Sequence, residues 1–337
     1  MIFFALVSIF SVGTVTIQNV PRPSSPPPAP PPNTPLGDYT LVDRIAVGGM
    51  AEVFRALEPR AVGEPRVVVL KRMLPHIAEE TNAQAMFAEE ARLASQVTHP
   101  NVVHVLGHGE IGGQPYLTLE YVPGCDLWRL NRRITRESKR LEHDLVVYVV
   151  RQILNGLDAV HRATDRAGDA LGIVHRDISP SNVLISIHGD VKIADFGIAR
   201  SGANDFEADT AARANGKLGY LAPEQVSGGE VECRADLFSA AVIAAELFMR
   251  RPLFAGGSEL AVLLAIRDAE VHPFVEFLPQ LPEGLGSVIL SALSVKAEER
   301  PPTARAVWAA LEPWQSRPGE VLRGVLAKIV AASAAVT

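Results

Sequence analysis

Cysteine is scarce: Cys125 and Cys233 are the only two in 337 residues, and they stand 108 positions apart in no metal-ligand spacing. That gives no support to a disulfide framework or to a zinc site, and a reducing cytosol fits such usage. Positive charge is also short, with 32 Lys and Arg against 38 Asp and Glu and a formal net charge of −6. No long basic run is available to neutralise a phosphate backbone, so nucleic acid is not expected as a partner. No internal repeat is seen. What the chain has is ordinary globular composition, 47% hydrophobic and 21% charged, which can bury a sizeable core. Its length, about twice that of a typical domain, fits one large domain or a two-lobed one.

Residues 1–20, MIFFALVSIFSVGTVTIQNV, lack any charged side chain. As a helix rising about 1.5 Å per residue they would span a hydrocarbon core of about 30 Å, so membrane contact through an N-terminal anchor is one reading. Seven polar or glycine positions weigh against it, and the missing basic start weighs against a signal peptide. A misplaced start codon is the third reading. Residues 21–38 read as a Pro-rich linker, since nine of the 25 prolines fall between 21 and 35 and proline fixes φ and removes a donor.

From Tyr39 the pattern changes to short β-branched runs, YTLVDRIAV, AEVFRAL and RVVVLKRM, which predict an antiparallel sheet with tight turns. In residues 142–162 the apolar positions Leu145, Val146, Val149, Val150, Ile153, Leu154, Leu157 and Val160 recur at threes and fours and predict a core-facing helix. Residues 236–249 are apolar nearly all round, as in a helix buried at the centre of a domain. A small β-rich lobe ahead of a larger helical lobe predicts an α+β architecture with a cleft between the two.

Several strings carry chemistry. IAVGGMAEVF at 45–54 sets two glycines between predicted strands, where backbone can approach a phosphate, although a hairpin turn needs no ligand. It is not a Walker A loop, because no Gly-Lys-Ser/Thr closes it. Lys71 ends the apolar strand VVVLK, and an inward ammonium there needs an anionic partner; Glu89 and Glu90 of the helical stretch 87–97 are the candidates. HRDISPSN at 175–182 and DFG at 195–197 add Asn182 and Asp195, 5 and 18 residues beyond Asp177. Such hard oxygen ligands suit Mg²⁺, which keeps several waters and binds through one or two carboxylates plus phosphate oxygens.

Together these strings resemble a protein kinase, specifically the bacterial serine/threonine kinases that share the eukaryotic kinase fold, over about residues 39–313. The resemblance implies a two-lobed kinase fold, with a β-rich N-lobe at 39–122, a helical C-lobe at 123–313 and a helical tail at 314–337. It implies Mg²⁺ and ATP, protein Ser or Thr hydroxyls as acceptors, a signalling role, and a cytoplasmic catalytic domain tethered to the inner membrane if residues 1–20 anchor it. By the same resemblance Lys71 holds the α- and β-phosphates and pairs with Glu90, Asp177 is the catalytic base, and Asn182 and Asp195 bind Mg²⁺. Ala46, Gly48, Gly49 and Val53 would cover the nucleotide. Leu119 would be the gatekeeper, Glu120 to Val122 the hinge that meets adenine, and Asp126 the ribose partner. Glu224 of LAPEQ should pair with Arg300, Asp236 should bond the catalytic-loop backbone, and Arg176 should face an activation loop carrying Thr210 and Ser201.

Two departures stand out. The first and third glycines of the family's GxGxxGxV loop are Ala46 and Ala51, which should alter nucleotide affinity rather than abolish it. Two residues after Asp177, where the family has Lys, stands Ser179, while Lys217 of NGKLGYLAPE replaces a Thr that the family folds against that position. The ammonium is thus expected to have moved from one segment to the other and to serve catalysis from Lys217; a solvated loop lysine is the plain alternative. These departures leave a rival function, a pseudokinase or nucleotide-binding scaffold with weak or no transfer activity. The tail, with apolar residues from Val321 to Val330 at helical spacing and Arg323 and Lys328 between them, reads as a docking helix and not a membrane span.

Overall fold

The computed structural model describes residues 28–79, 81–195 and 217–334. Its first half is a six-stranded antiparallel sheet of β1 (Thr34–Leu36), β2 (Tyr39–Val47), β3 (Ala51–Glu58), β4 (Arg66–Met73), β5 (Val105–Ile111) and β6 (Gln114–Glu120), in the order β1-β2-β3-β4-β6-β5. Alternation turns Phe54 and Ala56 of β3 and Val68 and Leu70 of β4 to one face, where all four are fully buried with Leu41. Within the Pro-rich linker expected over 21–38 the described residues contain a strand, because Thr34–Leu36 pairs with Tyr39–Leu41. Pro35 is tolerated there since β1 is an edge strand, where the missing N–H costs no ladder bond. Helix α1 (Thr81–Ala94) lies against β5 and β6 with Phe87, Ala91 and Ala94 buried on one face.

The second half is helical around a second small sheet. In it β7 (Gly124–Asp126), β8 (Val183–Ser186) and β9 (Val191–Ile193) pair antiparallel in sequence order. The helices are α2 (Leu127–Arg136), α3 (His143–His161), α4 (Pro223–Ser227), α5 (Cys233–Met249), α6 (Glu259–Arg267), α7 (His272–Val275), α8 (Leu285–Ala292), α9 (Ala304–Ala310) and α10 (Gly319–Ala334). The periodic stretch 142–162 forms α3. The all-round apolar stretch becomes α5, in which every residue from Ala235 to Met249 is buried. Gly124 lets β7 sit close to β8, since a Cβ there would lie 1.9 Å from the Ile185 carbonyl oxygen.

The tail helix α10 docks on α3, β7 and β8 through Leu322, Leu326 and Val330. Arg323 ties it to the β8–β9 turn, meeting Asp190 at 3.0 Å and donating to the His188 carbonyl at 3.2 Å. Among the described residues no helix is long and apolar enough to cross a membrane. Residues 1–20, on which the anchor reading rests, lie outside them.

Candidate active site

Lys71 stands on β4 opposite Val53 and Leu117, so its side chain emerges beneath the β2–β3 hairpin. Its ammonium donates to Glu90 Oε1 at 2.9 Å and to Asp195 Oδ1 at 3.4 Å. Helical period decides between the two glutamates: Glu90 shares the buried face of α1 with Phe87, Ala91 and Ala94, while Glu89 points outward to Arg92 at 2.7 Å. Burial works against the charge on Lys71, but the neighbouring Glu90 and Asp195 carboxylates outweigh it and hold its pKa above the ordinary lysine value. The Lys71 charge in turn holds Asp195 below the usual aspartate range. Asp195 has φ +57°, a left-handed conformation that a non-glycine residue keeps only when its surroundings impose it.

The stretch HRDISPSN at 175–182 is shaped from α5. Asp236, 1% exposed, accepts the backbone N–H groups of His175 and Arg176, both at 2.8 Å, and lies 2.7 Å from His161 Nε2. Burial pushes the Asp236 carboxyl up, yet these bonds to its charged form prevail and keep it below the ordinary value. Burial lowers the pKa of the His175 imidazole. Arg176 is held at φ +63°, which turns the chain so that Asp177 follows. Asn182 then donates through Nδ2 to Asp177 twice, to its backbone oxygen at 2.8 Å and to Oδ2 at 2.7 Å. The Ala194 N–H donates to the Asn182 carbonyl at 2.8 Å, bringing the residue before Asp195 beside the loop.

Lys217 reaches this cluster from the segment before α4. Its Nζ donates to Asp177 Oδ2 at 2.8 Å and to Asn182 Oδ1 at 3.1 Å. Ser179 is buried and its hydroxyl ends on Ser181 at 3.0 Å. Glu224 and Arg300 form a two-pronged ion pair with both bonds at 2.7 Å.

Above the cluster, Ala46 pairs with Val53 across the hairpin, and the Gly48 N–H closes the turn on the Ala51 carbonyl at 2.8 Å. Gly48 and Gly49 are exposed. Leu119 on β6 borders a nearly filled space of about 10 Å³ shared with Glu90 and Asp195. The hinge is more tied down than its sequence suggests: the Glu120 carboxylate accepts from Lys192 at 2.7 Å and from the His104 N–H at 2.8 Å. Asp126, expected at the ribose, caps α2 by accepting the Arg129 N–H at 2.7 Å. The Lys192–Glu120 bridge escaped the sequence reading although Lys192 between Val191 and Ile193 repeats the signal of Lys71, a lysine in an apolar strand. Phe196, Gly197, Ser201 and Thr210 lie outside the described residues.

The oxygens of Asn182 and Asp195 are of the hard type that Mg²⁺ takes, and the Asp195 side chain is 48% exposed, so a ligand can reach it. Among the described residues no three His, Cys, Asp or Glu side chains gather around one point. A cation here would therefore complete its shell with water and phosphate oxygens, which is the habit of Mg²⁺.

Residues 39–311 match the family model described as Protein kinase domain. The chain is 40% identical to tyrosine-protein kinase MasK of Myxococcus xanthus, over 84% of its own length and 44% of the relative's. It is 35% identical to the probable serine/threonine-protein kinase PknB of Bifidobacterium longum, over 80% of this chain and 38% of that one. With serine/threonine-protein kinase PknL of Mycobacterium tuberculosis it shares 33% identity over 81% and 65% of the two chains. It thus spans less than two thirds of the length of each of these relatives. The crystal structure of a variant of the Mycobacterium tuberculosis PknI kinase domain superposes with a TM-score of 0.63 at 25% identity, over 85% of this chain and 99% of that one.

Proposed function

The chain belongs to the protein kinase family, and we propose that it transfers the γ-phosphoryl group of ATP to serine and threonine hydroxyls of protein substrates. The observation that carries this reading is the convergence of Lys71, Glu90, Asp177, Asn182 and Asp195, from four separate stretches of chain, into two linked hydrogen-bonded sets. A scaffold that had abandoned transfer would have no need for all five.

In this reading Lys71, oriented by Glu90, binds the α- and β-phosphates. Asn182 and Asp195 would hold Mg²⁺, which when bound neutralises charge on the β- and γ-phosphates. Asp177 faces the acceptor hydroxyl and takes its proton as the oxygen attacks phosphorus. The bond from phosphorus to the ADP oxygen breaks, and ADP leaves. Serine and threonine are inferred as acceptors because PknB and PknL are named serine/threonine kinases and no tyrosine-kinase pattern fills the altered positions. MasK, named a tyrosine kinase, makes acceptor identity the point to test.

Purified protein incubated with labelled ATP and Mg²⁺ should phosphorylate itself or a general protein substrate, with label on serine and threonine. Asp195→Asn should lower turnover by about 10²-fold or more, because phosphoryl transfer depends almost wholly on positioning and charge compensation. Label on tyrosine alone would overturn the acceptor assignment. Nucleotide binding without transfer, equal in wild type and Asp177→Asn, would favour the scaffold.

A further inference from the structure

We infer that Lys217 is a catalytic residue of this transfer, its ammonium compensating the negative charge that develops on the moving phosphoryl group. The inference rests on the kinase reading above and adds a group that the catalytic loop itself does not supply.

Three observations carry it. First, the position is built. The Lys217 side chain is only 19% exposed, and its two acceptors among the described residues are Asp177 Oδ2 and Asn182 Oδ1, atoms of the base and of a metal-ligand candidate. A lysine serving solubility keeps its ammonium in water, whereas this one gives up most of its hydration.

Second, the backbone that delivers it is fixed. Lys217 caps the single helical turn Leu218–Tyr220, in which the Tyr220 N–H returns to the Lys217 carbonyl at 3.1 Å. Tyr220 is anchored to α5 at both ends: its carbonyl accepts from Ser239 Oγ at 2.6 Å, and its hydroxyl donates to the buried Glu246 carboxylate at 2.6 Å. The four-carbon stem therefore starts from a rigid point, and little freedom is lost in holding the charge.

Third, the nearest loop position is electrically empty. Ser179, two residues after the base, is 1% exposed and neutral, with its hydroxyl spent on Ser181.

The chemistry follows from the contacts. An ammonium has three N–H donors, and two are accounted for by Asp177 and Asn182. Before transfer the Asp177 carboxylate is the partner of the charge. As the acceptor oxygen bonds to phosphorus, its proton passes to Asp177 and the carboxylate loses its charge. Negative charge appears meanwhile on the phosphoryl oxygens and on the departing ADP oxygen. The ammonium exchanges a partner that is disappearing for one that is forming, an interaction made chiefly in the transition state.

Lys217→Met should thus lower kcat about 10²-fold or more while the KM for ATP moves less than about threefold. Nucleotide affinity, read by fluorescence titration with ADP and Mg²⁺, should stay within the same factor, and Tm should change little. The double variant Ser179→Lys with Lys217→Thr, which moves the charge onto the catalytic loop, should be at least about tenfold more active than Lys217→Met. An unchanged kcat in Lys217→Met would overturn the inference. So would a kcat loss matched by equal losses of nucleotide affinity and Tm, the mark of a structural tie, or a double variant no better than the single one. Wild-type protein as inactive as Asp177→Asn would instead overturn the kinase reading, and this inference with it.

Discussion

Exchanging Asp236 for asparagine keeps the side chain's shape and removes its charge at the point where α5 holds the catalytic loop. The carboxylate accepts two backbone N–H groups, from His175 and Arg176, each at 2.8 Å, one on each oxygen. An amide accepts only through its oxygen, so one of the two bonds becomes neutral and the other becomes an N–H facing an NH₂. Hydrogen bonds to charged groups contribute about 1.5–3 kcal/mol and neutral ones about 0.5–1.5, and an unsatisfied buried donor costs more again, so the loss is about 3–5 kcal/mol. At roughly 2 °C per kcal/mol for a chain of this length, Tm should fall by roughly 6–10 °C. Turnover should fall further than stability alone implies, because Arg176 keeps its left-handed φ of +63° only while Asp236 holds the turn. With the turn relaxed Asp177 loses its position; kcat should drop about tenfold or more with nucleotide affinity nearly unchanged, since Lys71 and the hinge lie elsewhere. The acid limb gives a second readout. The folded carboxyl titrates below its unfolded value of about 3.9, so its stabilisation is complete above that pH and is lost as the pH falls below it. Below about pH 4 the Tm of wild type should therefore fall more steeply than that of Asp236→Asn. A Tm shift under about 2 °C with unchanged kcat would refute the reasoning.

Arg300→Met should cost about 3–5 kcal/mol in a urea titration, because it strands the Glu224 carboxylate and removes the donors to the carbonyls of Arg234, Ser294 and Val295. A loss below about 1 kcal/mol would show that the pair is idle. Gly124→Ala would put a methyl group 1.9 Å from the Ile185 carbonyl oxygen and push β7 away from β8. We expect a loss of about 1–3 kcal/mol together with weaker ATP binding in a fluorescence titration, and unchanged values of both would contradict the close approach.

The parts of the fold that were legible in the sequence are those governed by local period. The strand runs after Tyr39, the three-and-four spacing of α3 and the apolar α5 each announce themselves because one face, or all of it, must be buried. The chemical strings were legible because Asp177, Asn182 and Asp195 have few other reasons to occur at those spacings. What stayed hidden depends on tertiary neighbours. Glu89 and Glu90 are equivalent until the orientation of α1 turns one inward. Glu52 is 3% exposed because Arg72 at 2.6 Å and Arg44 at 3.6 Å converge on it from other strands, which no local pattern reveals. Proline content hid β1, since composition cannot tell an edge strand from a spacer.

The tail helix extends the folding unit past the stretch that the family match covers. The family match stops at residue 311, eight residues before α10 starts. Yet Leu322 and Leu326 are fully buried and Val330 nearly so, burials of about 1.5–3 kcal/mol each, and Arg133 donates to the Ala332 carbonyl at 2.8 Å. The β8–β9 turn is seated so closely on the helix that a Cβ on Gly189 would lie 2.0 Å from the Arg323 carbonyl oxygen. The folding unit is therefore one helix longer than the unit that kinship delineates. Mechanically, α10 is a lever resting on both β7 and β8, and β7 ends at Asp126, the cap of α2. Tension applied to the chain at the C-terminal end of α10 would reach that cap directly through β7, and would reach Asn182 through β8, whose first residue, Val183, follows it.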